Sequence, residues 1–184
     1  MSKKSDIALI QKKLDKTIVL VGLMGCGKSS LGRRLAERIE LPFADADSAI
    51  EEAAGATIPE IFEQHGEAFF RDGERRVIQR ILGEKPLVLA TGGGAFIDPE
   101  TRKAIKEQSL SVWIKADLDL LVKRTAKRNN RPLLKQGKPR EILANLIQKR
   151  HPFYGTADVT VESVDGPHER TLTKLLRAIA AELG

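Results

Sequence analysis

Residues 22 to 29 read Gly-Leu-Met-Gly-Cys-Gly-Lys-Ser, the pattern G-x-x-x-x-G-K-[S/T], and nothing else in the chain restricts its fold so tightly. The pattern works only where a buried strand enters it and a helix leaves it, because its backbone N–H groups must meet phosphate oxygens at a helix N-terminus. The flanks agree. Thr17-Ile-Val-Leu-Val-Gly22 is a short β-branched apolar run of the kind buried on both faces of a sheet. Leu31, Leu35 and Ile39 then recur at helical spacing among Arg33, Arg34, Glu37 and Arg38. In that setting Gly25, Cys26, Gly27 and Ser30 would cradle a triphosphate, Lys28 would neutralise its β- and γ-phosphates, and the Ser29 hydroxyl would bind Mg²⁺.

Apolar runs at 86–91, 110–114 and 158–161, with a weaker one at 41–45, alternate with helical patterns. The alternation predicts an α/β fold with a parallel sheet covered by helices on both faces. Ser48 with Glu51 and Thr57 with Glu60 have capping-box spacing, and Asp98-Pro99 supplies an N-cap and a proline at N1. Gly66 and Gly83 are expected helix stops. The last helix is expected from about Pro167, through Leu172, Leu175, Leu176, Ile179 and Leu183. Residues 1–16 form a polar N-terminal extension with a frayed helix around Ile7, Ile10 and Leu14, and 17–184 form one domain. A chain of 184 residues, 41% hydrophobic, fits one compact unit. No apolar stretch suits a membrane span or secretory signal, so the expected compartment is the cytoplasm. The single cysteine, Cys26, excludes an internal disulfide, and its glycine neighbours predict a thiol exposed to alkylation when ATP is absent.

The phosphate loop alone leaves switches, motors and small-molecule kinases standing. Neither Asn-Lys-x-Asp nor Asp-x-x-Gly occurs, which argues against a regulatory GTPase. The 86–91 strand ends in Thr91 and Gly92-Gly93-Gly94 instead of an acidic residue, so metal support must come from elsewhere. Asp45 and Asp47, on alternate positions of a segment read as extended, are the candidates. One carboxylate would lie near Mg²⁺ and the other on the hydroxyl to be phosphorylated, Ser48 and Glu51 supplying the helix cap. The three glycines leave a buried strand at its carboxyl edge, where ligands bind in such sheets. The net charge of +6 has two readings, a nucleic-acid surface or arginines converging on an anionic ligand. Aromatic residues make up only 4%, which favours the second. Arg71, Arg124, Arg131 and Arg150 are the candidates. Residues 128–139 are basic and broken by proline and glycine, as a mobile lid carrying Arg131 would be.

The glycine loop, Asp45-Ala-Asp47, Phe70-Arg71, Gly92-Gly93-Gly94, Arg131-Pro-Leu-Leu134 and Arg150 with Tyr154 together resemble the shikimate kinase family, in order and spacing from about residue 17 to 180. The resemblance implies a three-layer P-loop kinase fold with five parallel strands, an acceptor-binding region at about 46–75 and a mobile lid at about 126–139. It implies transfer of the ATP γ-phosphoryl to the 3-hydroxyl of shikimate with Mg²⁺, by a monomer with no nucleic-acid or membrane partner. Asp47, Arg71, Gly93 and Arg150 would bind shikimate beside Gly92 and Gly94, the two arginines taking its carboxylate. Asp45 would act through the Mg²⁺ shell, Asp47, Lys28 and Arg131 in catalysis, and Arg124 beside adenine. One departure stands out: Asp165-Gly166-Pro167 replaces the basic or polar side chain that often lines the adenine pocket. Kinases of gluconate or nucleoside monophosphates are the related alternatives, and an ATP-dependent nucleic-acid-binding module the unrelated one.

Overall fold

A computed structural model of the chain describes residues 2–127, 134 and 137–184. Thr17–Val21 (β1), Phe43–Asp45 (β2), Val88–Ala90 (β3), Ser109–Lys115 (β4) and Val159–Glu162 (β5) form one parallel sheet in the order β2-β3-β1-β4-β5. Every residue of β1 is buried, whereas β5 alternates buried and exposed positions, as expected for a central strand and an edge strand. β1 and β3 pair Leu20 with Ala90. Thr91 extends the pairing, its N–H and hydroxyl both donating to the Leu20 carbonyl at 3.2 and 2.8 Å. The regular part of the 86–91 run is therefore its centre.

Helices cover both faces. Lys28–Ile39 (α2) and His168–Leu183 (α8) pack together, with Lys3–Lys13 (α1) laid across them. The periodic residues Leu31, Leu35 and Ile39 of α2, and Leu172, Leu175, Leu176 and Ile179 of α8, are all buried. The N-terminal segment that reads as polar forms a regular helix over Lys3–Lys13 because its few apolar groups have a seat. Ile10 is fully buried, and Lys13 Nζ donates to the Leu183 and Gly184 carbonyls at 3.1 Å. Ala46–Ala54 (α3) packs on Ile58–Leu82 (α4), which meets Pro99–Gln108 (α5); Leu118–Ala126 (α6) packs on Pro139–Tyr154 (α7).

Two helix starts follow their expected caps. Glu60 N–H donates to Thr57 Oγ1 while Thr57 N–H donates to Glu60 Oε2, and Asp98 Oδ2 accepts from Thr101 N–H at 2.9 Å. The Ser48–Glu51 cap does not form. Asp45 ends β2 and is the N-cap of α3, its Oδ1 accepting from Ser48 N–H at 3.2 Å, because the helix begins at once at Ala46. Asp47 thus stands in a helical first turn and not on an extended segment.

Gly83 caps α4 and Gly66 ends its first helical stretch, both as expected. At Gly66 a φ of 83° and a ψ of 176° break the helical conformation, and a second helical stretch, which carries Arg71 and Glu74 inward, sets out on a new course. An added Cβ at Gly66 would meet nothing, so its requirement is purely one of backbone conformation. Gly66→Ala is expected to cost about 1–3 kcal/mol, the range for residues held in sparsely populated backbone regions. The melting temperature followed by circular dichroism should fall by roughly 2–4 °C per kcal/mol.

Candidate functional site

Because β1 and β3 are neighbours, the loops that leave their carboxyl ends lie side by side. A Cβ placed on Gly93 would stand 3.8 Å from both the Gly22 carbonyl oxygen and the Met24 amide nitrogen. Within the first loop, Gly22, Gly25 and Gly27 have φ of 142°, 82° and 103°, values that side chains rarely tolerate. Lys28 opens α2 and folds back over the loop, its Nζ donating to the Gly22 and Leu23 carbonyls at 2.6 and 3.0 Å. A compact positive charge is thereby held at the helix N-terminus, where phosphate oxygens are stabilised.

Ser29, one residue on, donates its hydroxyl to Asp45 Oδ2 at 2.8 Å. This pair joins the first turn of α2 to the end of β2 and presents hard oxygen donors. No group of three or more His, Cys, Asp and Glu side chains among the described residues forms a self-contained metal cage. The donor set fits Mg²⁺, which keeps several waters and phosphate oxygens and takes few protein ligands.

Arg124 on α6 braces the loop from the other side. Its guanidinium donates to the Cys26 carbonyl at 3.1 Å, to Ser163 Oγ at 2.9 Å and to the Val164 carbonyl at 3.1 Å. It thereby spans the glycine loop and the turn before α8. In that turn the Lys123 ammonium, 2.6 Å from Asp165, holds the aspartate below the ordinary carboxylate range.

Beside the phosphate loop Gly92, Gly93 and Gly94 are each matched to one side chain. A Cβ on Gly92 would lie 2.8 Å from Asp47 Oδ1, one on Gly93 would lie 3.1 Å from Arg150 Nη1, and one on Gly94 would overlap the Arg71 guanidinium. The bare backbone is what lets a carboxylate and two guanidinium groups close on one short segment. Arg71 is held by Glu74, whose Oε1 accepts from its Nη1 at 2.7 Å, and more loosely by Glu67 at 3.6 Å.

Glu74 is absent from the residues chosen by sequence, although it belongs to this cluster. It is 1% exposed, and burial raises its pKa despite the opposing pull of Arg71. The usable signal is its position three residues after Arg71, which puts both on one helix face. Asp47 is also raised, first by burial and then by the neighbouring charge of Asp45, with Lys28 and Arg71 opposing. Arg131 lies outside the described residues.

Cys26 departs from expectation. Its thiol is buried, 1% exposed, with its sulfur 3.8 Å from Lys28 Nζ. The bends at Gly25 and Gly27 turn it into the protein instead of displaying it. The folded chain should therefore react with Ellman's reagent many-fold more slowly than the chain in denaturant, which a comparison of thiol-release rates would check.

Fold and phosphate loop together define a P-loop kinase, with a cluster of Asp47, Arg71 and Arg150 beside the loop. A family model described as shikimate kinase matches residues 24–180. A shikimate kinase of Paramagnetospirillum magneticum is 54% identical over 175 residues, covering 95% of this chain and 90% of that protein. One from Caulobacter vibrioides is 55% identical over 164 residues, covering 89% and 82%. Among solved structures, a shikimate kinase from Acinetobacter baumannii in complex with shikimate superposes with TM-score 0.86 at 37% identity, covering 98% of each chain. A gluconokinase from Sinorhizobium meliloti, at TM-score 0.60 and 18% identity over 92% of this chain and 94% of that one, shares the fold alone. The chain belongs to the shikimate kinase family.

The raised pKa of Asp47 has a consequence for stability. A carboxylate whose folded pKa exceeds its unfolded one stabilises the fold fully only below the unfolded pKa, and that contribution is lost as pH rises through the folded pKa. Asp47→Asn should therefore raise stability at pH 7–8 by about 1 kcal/mol, typical of a relieved functional site, or roughly 2–4 °C. The gain should shrink on acidification towards pH 4. Melting curves of both proteins without nucleotide, across that range, check it.

Proposed function

We infer that the chain transfers the γ-phosphoryl group of ATP to the 3-hydroxyl of shikimate, giving ADP and shikimate 3-phosphate. The observation that carries this reading is the meeting of Asp47, Arg71 and Arg150 on the triple glycine, against the start of the phosphate loop. Two guanidinium groups provide forked donors for a carboxylate, and the nearby acidic side chain provides an acceptor for a hydroxyl. A carboxylated polyol satisfies both. Its relatives at about half identity are shikimate kinases, and the solved relative that superposes best of those described above holds shikimate.

In this reading Arg71 and Arg150 hold the carboxylate and Gly93 lies against the ring. Asp47 orients the 3-hydroxyl and receives its proton as the oxygen attacks the γ-phosphorus. The new oxygen–phosphorus bond forms as the bond to the β-phosphate oxygen breaks, and ADP carries off that electron pair. Lys28 neutralises charge on the β- and γ-phosphates, while Arg131, from the lid assigned to about 126–139, approaches the transferring group. Ser29, and Asp45 through water, would hold Mg²⁺, which would supply further neutralisation of phosphate charge. Arg124 borders the adenine end, and the acceptor region spans about 46–75. In this reading the working unit is a monomer acting in the cytoplasm. The basic excess serves two anionic substrates and no nucleic acid.

Coupled detection of ADP with Mg-ATP and a panel of shikimate, gluconate and nucleoside monophosphates tests the reading. Shikimate is expected to stimulate release at least tenfold more than any other compound. A flat response to shikimate would sink the assignment.

A further inference from the structure

We propose that Tyr154 is a positioning residue for the acceptor: its hydroxyl, with Arg150 beside it, clamps the Gly93 carbonyl and so keeps this carbonyl from occupying the guanidinium groups of Arg71 and Arg150. The proposal rests on the shikimate reading above and assigns a task to a side chain that the transfer itself does not use.

Tyr154, the only tyrosine of the chain, ends α7 with its side chain fully buried, and its hydroxyl donates to the Gly93 carbonyl oxygen. The ring is fixed by Trp113 and His151, whose centroids lie 6.0 and 6.3 Å away. Burial drives the phenol pKa upward, so the group stays a neutral donor at any working pH.

The carbonyl it holds belongs to a Gly-Gly peptide, the kind of unit that rotates with least steric resistance. On either side stand cationic donors, Arg150 at Gly93 and Arg71 at Gly94. A Gly93 carbonyl that lost its hydroxyl partner would be a half-buried acceptor short of a donor, and rotation toward a guanidinium would supply one. The arginine would then be occupied by backbone. Since carbonyl and N–H of one peptide point opposite ways, the same rotation would also swing the Gly94 N–H.

A second tie from the same end of α7 acts in parallel. Phe153 lies under the Arg102 guanidinium at 4.9 Å, and Arg102 donates to the Phe96 and Ile97 carbonyls at 3.0 Å. Residues 150–154 thus contribute one arginine to the pocket and two anchors to the loop opposite it.

Tyr154→Phe keeps the ring and removes only the donor. With the variant folded, the KM for shikimate should rise about tenfold, the effect of one lost hydrogen bond, while the KM for ATP stays within about twofold. An unchanged shikimate KM, or KM values for both substrates rising together, would overturn the proposal, since a general loss of packing does not choose between substrates. If wild-type protein shows no shikimate-dependent ADP release, the functional reading falls first and this one with it; normal wild-type turnover with an indifferent variant condemns this one alone. Should Tyr154→Phe fail to fold, 3-fluorotyrosine incorporated throughout labels Tyr154 alone. Its ¹⁹F resonance must then move on saturation with shikimate in the absence of nucleotide, and an unmoved resonance overturns the proposal.

Discussion

The parallel pairing of β1 with β3 is the constraint on which the rest depends. It sets Leu20 beside Ala90, and Thr91 then spends both its N–H and its hydroxyl on the Leu20 carbonyl. Two glycine loops consequently leave one sheet edge as neighbours, the place where α/β sheets bind ligands. Were these strands separated by another, the phosphate loop and the triple glycine would stand at least one strand spacing further apart, and no single phosphoryl group could be shared between them. Thr91 also explains the missing acidic residue at the end of β3. A threonine there secures the strand pair, and the carboxylate next to Ser29 comes from the end of β2 instead.

Charge in the pocket is arranged by burial as much as by pairing. Glu74 and Asp47 both titrate above their ordinary range because burial outweighs the arginine and lysine charges around them. The arrangement is costly for folding, and the sheet and the two helical layers hold it in place. Arg71 is positioned by an acidic partner on its own helix, Arg150 by its place one turn before the buried Tyr154. Each guanidinium therefore keeps donors directed toward the triple glycine.

Much of the fold was legible because it rests on local rules. The β-branched runs, the helical spacing of Leu31, Leu35 and Ile39, and the Thr57–Glu60 and Asp98–Pro99 caps each depend on a few neighbouring residues. The glycine motif also located Lys28 and Ser29, since backbone conformation and helix dipole define their places. What escaped was the part decided by tertiary contact. Cys26 reads as exposed among glycines, yet the same glycines bend it inward. Asp45 reads as a residue freed from capping, yet an abrupt passage from strand to helix makes it the cap of α3 as well as the partner of Ser29. Glu74 carries no motif, because its importance comes from being buried against Arg71.

Asp45 divides its two oxygens between two elements: Oδ1 accepts from the Ser48 amide at the start of α3, and Oδ2 from the Ser29 hydroxyl at the start of α2. This makes position 45 stringent in its choice of side chain. Asparagine could cap Ser48 with its one oxygen, but toward Ser29 it would present N–H donors, which reverses that hydrogen bond. Serine has a single oxygen too close to the backbone to serve both, and glutamate carries its pair one methylene beyond the capping distance. Among the ordinary side chains, only a carboxylate on the shortest stem can accept from both helix starts at once.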